Sequence, residues 1–212
     1  MSRPADELTT TSYAILGLLA IKPWSTYELA KQMRRDLHYF WPRAESNLYA
    51  EPKRLMDGGY ARSEAHPHGK RRRTVYVITA KGRKALERWL EQPAAAARLE
   101  SEGLVKLFLA PNSSKESLLG HLRGLRDEAE ARRRELHSIL RPYLEGEGPF
   151  PDRLHVTVLG ARLLLDQARA QIDWATWALS EAERWPDTQA PNDAGHLLRL
   201  LENALALRPP ES

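Results

Sequence analysis

The apolar positions of this chain first repeat in "TTTSYAILGLLAIKPW". Tyr13, Leu16, Leu19 and Ala20 recur at helical spacing, and Ile15 and Leu18 widen the apolar face. The Thr and Ser residues ahead of them favour a helix start, and Pro23 predicts its end. "STYELAKQMRRDL" predicts a second helix. Ser25 is its N-cap and Glu28, three residues on, completes a capping box. Tyr27, Leu29, Ala30 and Met33 form the inward stripe, with Lys31, Arg34 and Arg35 outside it. Leu48, Leu55 and Met56 predict a third helix that stops at the glycines of "DGG".

"YARSEAHPHGKRRRTVYVIT" reads as strand, turn and strand. Pro67 and Gly69 fall in the predicted turn, and Val75, Val77 and Thr79 alternate with Tyr76 and Ile78. A fourth helix carries Leu86, Trp89 and Leu90 on one face and closes near Pro93, unless the alanine run at 94–97 continues it. Beyond it the pattern is helical only. A short helix covers "SEGLVKLFLAPN". A long one, opening at Ser114, has the stripe Leu118, Leu122, Leu125, Ala129, Leu136 and Leu140. In the next, Leu154, Val158, Ala161, Leu165, Ala168, Ile172, Ala175 and Leu179 follow alternating steps of four and three, a heptad seam. "AGHLLRLLENALAL" predicts a last short helix.

Three helices, a two-strand ribbon and a fourth helix describe a winged helix-turn-helix. In that layout the third helix enters the DNA major groove and the wing lies on the backbone or minor groove. The fold class expected is therefore mainly α: a winged helix-turn-helix domain over 1–93, then an all-helical domain over 94–212.

Charge sharpens this division. Residues 1–92 carry 17 Lys and Arg against 10 Asp and Glu, a net +7, whereas residues 93–212 carry 15 against 18, a net −3. A basic first part joined to a mildly acidic second part suggests a polyanion-binding module. Charged residues make up 28% of the 212 residues, and there is no cysteine. Disulfides, thiolate metal sites and cysteine nucleophiles are thereby excluded. No run of eighteen apolar residues occurs and "MSRPADELTT" lacks the apolar segment of a signal peptide, so no membrane partner and a cytoplasmic location are expected. No nucleophile with its base, phosphate-binding glycine loop or apolar carboxylate pair is evident, so an enzyme is not expected, and no cofactor either.

The residues resemble the PadR family of bacterial transcriptional regulators. The matching pieces are "YAILGLLAIKPWSTYEL", "ESNLYAEPKRLMDGGYA", "TVYVITAKGRKALERWL", "EGLVKLFL" and "IDWATWAL", in this order over nearly the whole chain. The second half resembles the longer-tailed members, whose C-terminal helices form the dimer. Two positions depart from the family pattern: Thr26 stands where Gly often precedes the Tyr of helix two, and Pro52 interrupts the expected recognition helix. That helix either starts later than Ser46 or bends at Pro52.

The resemblance implies a homodimeric DNA-binding repressor acting on double-stranded DNA, with two recognition helices in major grooves roughly 34 Å apart. On helix three, Ser46, Asn47, Tyr49, Lys53 and Arg54 stand outside the inward stripe and carry groups suited to bases and phosphates. Tyr27 and Lys31 on helix two are backbone-contact candidates. Lys70, Arg71, Arg72 and Arg73, set between two strands, are read as phosphate or minor-groove contacts; a solvated hairpin loop is the bland alternative.

His66 and His68 flank Pro67 with no third ligand in view, so an exposed wing tip is favoured over a metal site. Trp174 and Trp177 sit beside the heptad seam and are the candidates for stacking on a small aromatic effector, a ligand class that the resemblance implies; core packing is the alternative. Tyr13 and Trp41 are similarly open. The competing function is a winged-helix protein-interaction module with no specific DNA binding.

Overall fold

The computed structural model of the chain describes residues 8–41, 48–68, 71–189 and 193–206; of Asp36, residues 66–68 and residues 71–72 it describes the backbone. The chain forms two compact units, Met1–Ala97 and Arg98–Ser212.

In the first unit, helix α1 (Thr10–Ile21) is the central element. Thr9 caps it by accepting the Ser12 N–H, while the Ser12 hydroxyl accepts the Thr9 N–H. Ile15, Leu16 and Leu19 are buried along it. Helix α2 (Thr26–Asp36) opens on the expected Ser25–Glu28 capping box. Leu29, Ala30 and Met33 are buried, but Tyr27 is 67% exposed and does not belong to the inward stripe.

Helix α3 (Glu51–Asp57) starts later than Ser46. Pro52 lies in its first turn, where a missing N–H costs no helical hydrogen bond, so the helix does not bend around it. Gly59, at φ +73°, ends the segment and turns the chain toward the ribbon.

Strands β1 (Ala61–His68) and β2 (Arg71–Ile78) pair antiparallel from Ala61↔Ile78 to His68↔Arg71. Pro67 is therefore a strand residue opposite Arg72, not part of the turn. β1 is an edge strand, the sheet position that tolerates proline. Trp24 forms a bridge with Tyr76, with backbone hydrogen bonds of 3.2 and 2.7 Å, so β2 has a partner on each side. Val75 and Ile78 are buried. Helix α4 (Ala80–Leu90) follows, capped by Thr79, and ends before Pro93; the alanine run does not continue it. Leu90 is exposed, while Trp89 stacks on Tyr13 of α1 with centroids 4.7 Å apart.

The second unit contains α5 (Glu102–Phe108), α6 (Lys115–Leu144), α7 (Leu154–Arg184) and α8 (Ala194–Ala206). The expected α6 stripe is inward: Leu118, Leu122, Ala129 and Leu136 are buried. They meet Ala168, Ala175, Leu179 and Ala182 of α7. Lys115 donates to the carbonyl oxygens of Glu183 and Trp185 at 2.9 and 2.5 Å, and Arg132 donates to Gln171 at 2.9 Å, so α6 and α7 run antiparallel.

The heptad seam is thus covered over its second half by the chain's own α6. Its first half differs, since Leu154 and Val158 are exposed, together with Leu159 and Leu163 nearby. A heptad period reports that a helix packs along one face; it does not distinguish a helix of the same chain from one of a second subunit.

Candidate nucleic-acid interface

Tyr27 and Lys31 are one helical turn apart on α2, and both side chains are exposed. Tyr49 precedes α3 and is 61% exposed; Lys53, in the first turns of α3, is exposed as well. None of these four is committed to the core. Arg54 is held closer to the protein, with a guanidinium nitrogen 3.9 Å from Glu51 Oε2. Ser46, Asn47 and Lys70 lie outside the described residues, as do the side chains of Arg71, Arg72, His66 and His68. Arg71 and Arg72 themselves are the first two residues of β2.

Arg73 departs from the expectation of a solvent-directed cation. Its Nη1 donates to Glu28 Oε1 at 2.8 Å. Its Nε is buried and has no hydrogen-bond partner among the described residues. Glu28 in turn accepts the Ser25 N–H at 2.9 Å and the Ser25 hydroxyl at 2.8 Å on its other oxygen. Burial pushes the Glu28 carboxyl up, but the two bonds from Ser25 and the Arg73 guanidinium outweigh it and hold the group below its usual value.

A second contact that no sequence period signals positions α3. Glu51, its first residue, is buried, and its Oε1 accepts the hydroxyl of the fully buried Ser12 on α1. A buried carboxylate needs such a donor. Trp41 has a comparable role: its Nε1 donates to Thr11 at 3.1 Å, tying the segment after α2 back to α1. The signal available in the sequence was an acidic residue directly before Pro52 and a Ser on the inward face of α1.

In the second unit, Trp174 packs against the cluster of Leu118, Leu122, Leu179 and Ala182, whereas Trp177 is 48% exposed. The two indoles thus stand in different surroundings. A cavity of about 340 Å³ lies at the end of α7, lined by Glu181, Arg184, Trp185, Pro186, Asp193, His196 and Leu197. Glu181 is buried there and both its oxygens are engaged, by His196 at 2.9 Å and Arg184 at 3.0 Å. Sequence reasoning missed this group because its partners come from two helices. Among the described residues no cluster of His, Asp and Glu could hold a metal ion, and no helix is long and apolar enough to cross a membrane.

Residues 15–88 match the Transcriptional regulator PadR-like family, and residues 100–183 match Virulence activator alpha C-term. A curated relative, the Negative transcriptional regulator PadR of Bacillus subtilis, is 25% identical over 76% of this chain and 91% of its own length. The crystal structure of Bacillus subtilis PadR in complex with operator DNA superposes with a TM-score of 0.70 at 20% identity, covering 82% of this chain and 99% of that one. Its complex with p-coumaric acid gives 0.64 at 22% identity, covering 83% and 100%. These likenesses fix the fold as that of the PadR regulators, and the PadR-like family matched by residues 15–88 is a family of transcriptional regulators. The two matched regions follow one another along the chain: residues 15–88 form a PadR-like domain, and residues 100–183 form a Virulence activator alpha C-term region.

Proposed function

We propose that this chain is a cytoplasmic, homodimeric repressor that binds a pseudo-palindromic operator through α3 and the wing. The observation that carries the reading is the exposure of Tyr27, Lys31, Tyr49 and Lys53, on α2 and around α3, in the unit that carries the chain's excess of positive charge. Hydroxyls and ammonium groups on α2 and around α3 suit phosphate oxygens and base edges. Arg71 and Arg72, with Lys70, supply the wing's charge. The operator complex of the Bacillus subtilis relative supports the same use of the fold.

The dimer would not use the covered half of the α7 seam. Phe108 of α5 is 85% exposed, and Leu159 and Leu163 of α7 and Leu198 and Leu201 of α8 are exposed as well. So many large apolar side chains in one helical unit favour burial against a second copy. A small aromatic acid is the effector class favoured, by analogy with the p-coumaric acid complex of the relative. Trp177, exposed on α7, is the indole open to stacking, since Trp174 is taken up by the core.

The deciding experiment is footprinting on the DNA upstream of the protein's own coding region, followed by a salt titration of binding. A protected palindrome with a steep salt dependence is expected. Absence of any DNA affinity at low salt would leave the interaction-module reading in its place. Sedimentation tests the dimer, and a shift of the melting temperature with p-coumaric acid tests the effector class.

A further inference from the structure

The wing is attached to the start of α2 at two points. The first is the backbone bridge between Trp24 and Tyr76. The second is the ion pair between Glu28 and Arg73, residues 45 apart in sequence. On each chain segment the two points are a few residues apart, four from Trp24 to Glu28 and three from Arg73 to Tyr76. One attachment leaves a ribbon free to swivel about it; a second, displaced along both segments, removes that rotation. Glu28 is itself anchored, because its other oxygen is held by the Ser25 N–H and hydroxyl that cap the helix.

We propose that Arg73 and Glu28 form a positioning pair that sets the angle of the wing against α2, and that Arg73 is not one of the wing's phosphate contacts. The inference deepens the DNA-binding reading and rests on it. Arg73 is the last residue of the basic run 70–73, two residues before the buried Val75. Its charge is neutralised by Glu28, so the pair adds little to the field that attracts DNA. One face of the Arg73 guanidinium is committed to a carboxylate that the helix cap holds in place, which limits where the side chain can point.

Glu28→Gln separates the alternatives. Glutamine still serves a capping box, so the start of α2 is kept while the charge that holds Arg73 is removed. If Arg73 were a phosphate contact, E28Q would release it and delete a negative charge, and DNA would bind as well as before or more tightly. With Arg73 as a positioning residue, E28Q weakens binding to the footprinted duplex by roughly 3- to 10-fold, the range of a partly exposed charged hydrogen bond.

The exchanged pair E28R/R73E gives the second readout. It is expected to bind several-fold more tightly than R73E alone, because the attraction is restored; a true contact at residue 73 would stay lost. Melting curves run beside each variant, and the exchanged pair decides where E28Q melts below the assay temperature. Equal or tighter binding by E28Q, or an exchanged pair no better than R73E, overturns the proposal. Failure of the unmodified protein to bind the duplex overturns the DNA-binding reading itself, and the positioning role with it.

Discussion

The first turn of α4 lies directly on the residue that leads into β1: a Cβ placed at Gly82 would overlap the backbone carbonyl oxygen of Tyr60. That oxygen is fixed, because it also accepts the Thr79 N–H at 3.0 Å. Gly82→Ala is expected to destabilise the first unit by about 1–3 kcal/mol, as overpacking against backbone does. Chemical denaturation of G82A against the unmodified chain checks it; unchanged stability would mean that the two segments can separate freely.

Removing the hydroxyl that faces Glu51 leaves a buried carboxylate without that donor. Ser12→Ala should cost about 1–3 kcal/mol, and the companion change Glu51→Gln should recover part of the loss because the neutral amide is less costly to bury. A double-mutant cycle of melting free energies measures the coupling. Strict additivity of the two changes would contradict the contact.

The Glu28 carboxyl is held below its ordinary value of 4.5 in the folded chain. A depressed acid contributes stability that is fully present above that value and is lost as the pH falls through the folded pKa. The melting temperatures of the unmodified protein and of E28Q are therefore expected to differ at neutral pH and to converge in acid. A gap that persists or widens on acidification would refute the assignment.

If Arg71 and Arg72 contact phosphates, neutralising both reduces the slope of log affinity against log salt by about 1.8, at roughly 0.9 per phosphate. The R71Q/R72Q variant, titrated with salt beside the unmodified chain, gives the number. An unchanged slope would assign the two arginines to solvent.

Within the second unit, Leu122 is 1% exposed and belongs to the cluster shared by α6 and α7. Leu122→Ala should cost about 2–5 kcal/mol, read by denaturant unfolding of the whole protein. A loss below about 1 kcal/mol would be the outcome expected of a surface leucine instead.

Much of this architecture was legible in the sequence because it is local. The Ser25–Glu28 box, the stripe on α6 and the ribbon after "DGG" depend on residues a few positions apart, and each appears where the spacing put it. The start of α3 was harder to read, since Pro52 is compatible with either a first turn or a kink and only the surrounding chain chooses. The partner of the α7 seam and the fate of Arg73 were not readable. Both are set by residues distant in sequence, Leu122 and its neighbours on α6 in one case and Glu28 in the other. A basic run looks the same whether its members face solvent, a phosphate or a carboxylate.

The placement of Pro67 within β1 and of Trp24 beside β2 also bears on how the protein behaves in a crowded cell. A two-strand ribbon with open edges is a template for adding further strands, and so for aggregation. Here one edge carries a residue with no N–H to offer a newcomer, and the other is already partly occupied by the bridge. The wing can carry its basic run without recruiting another copy edge to edge.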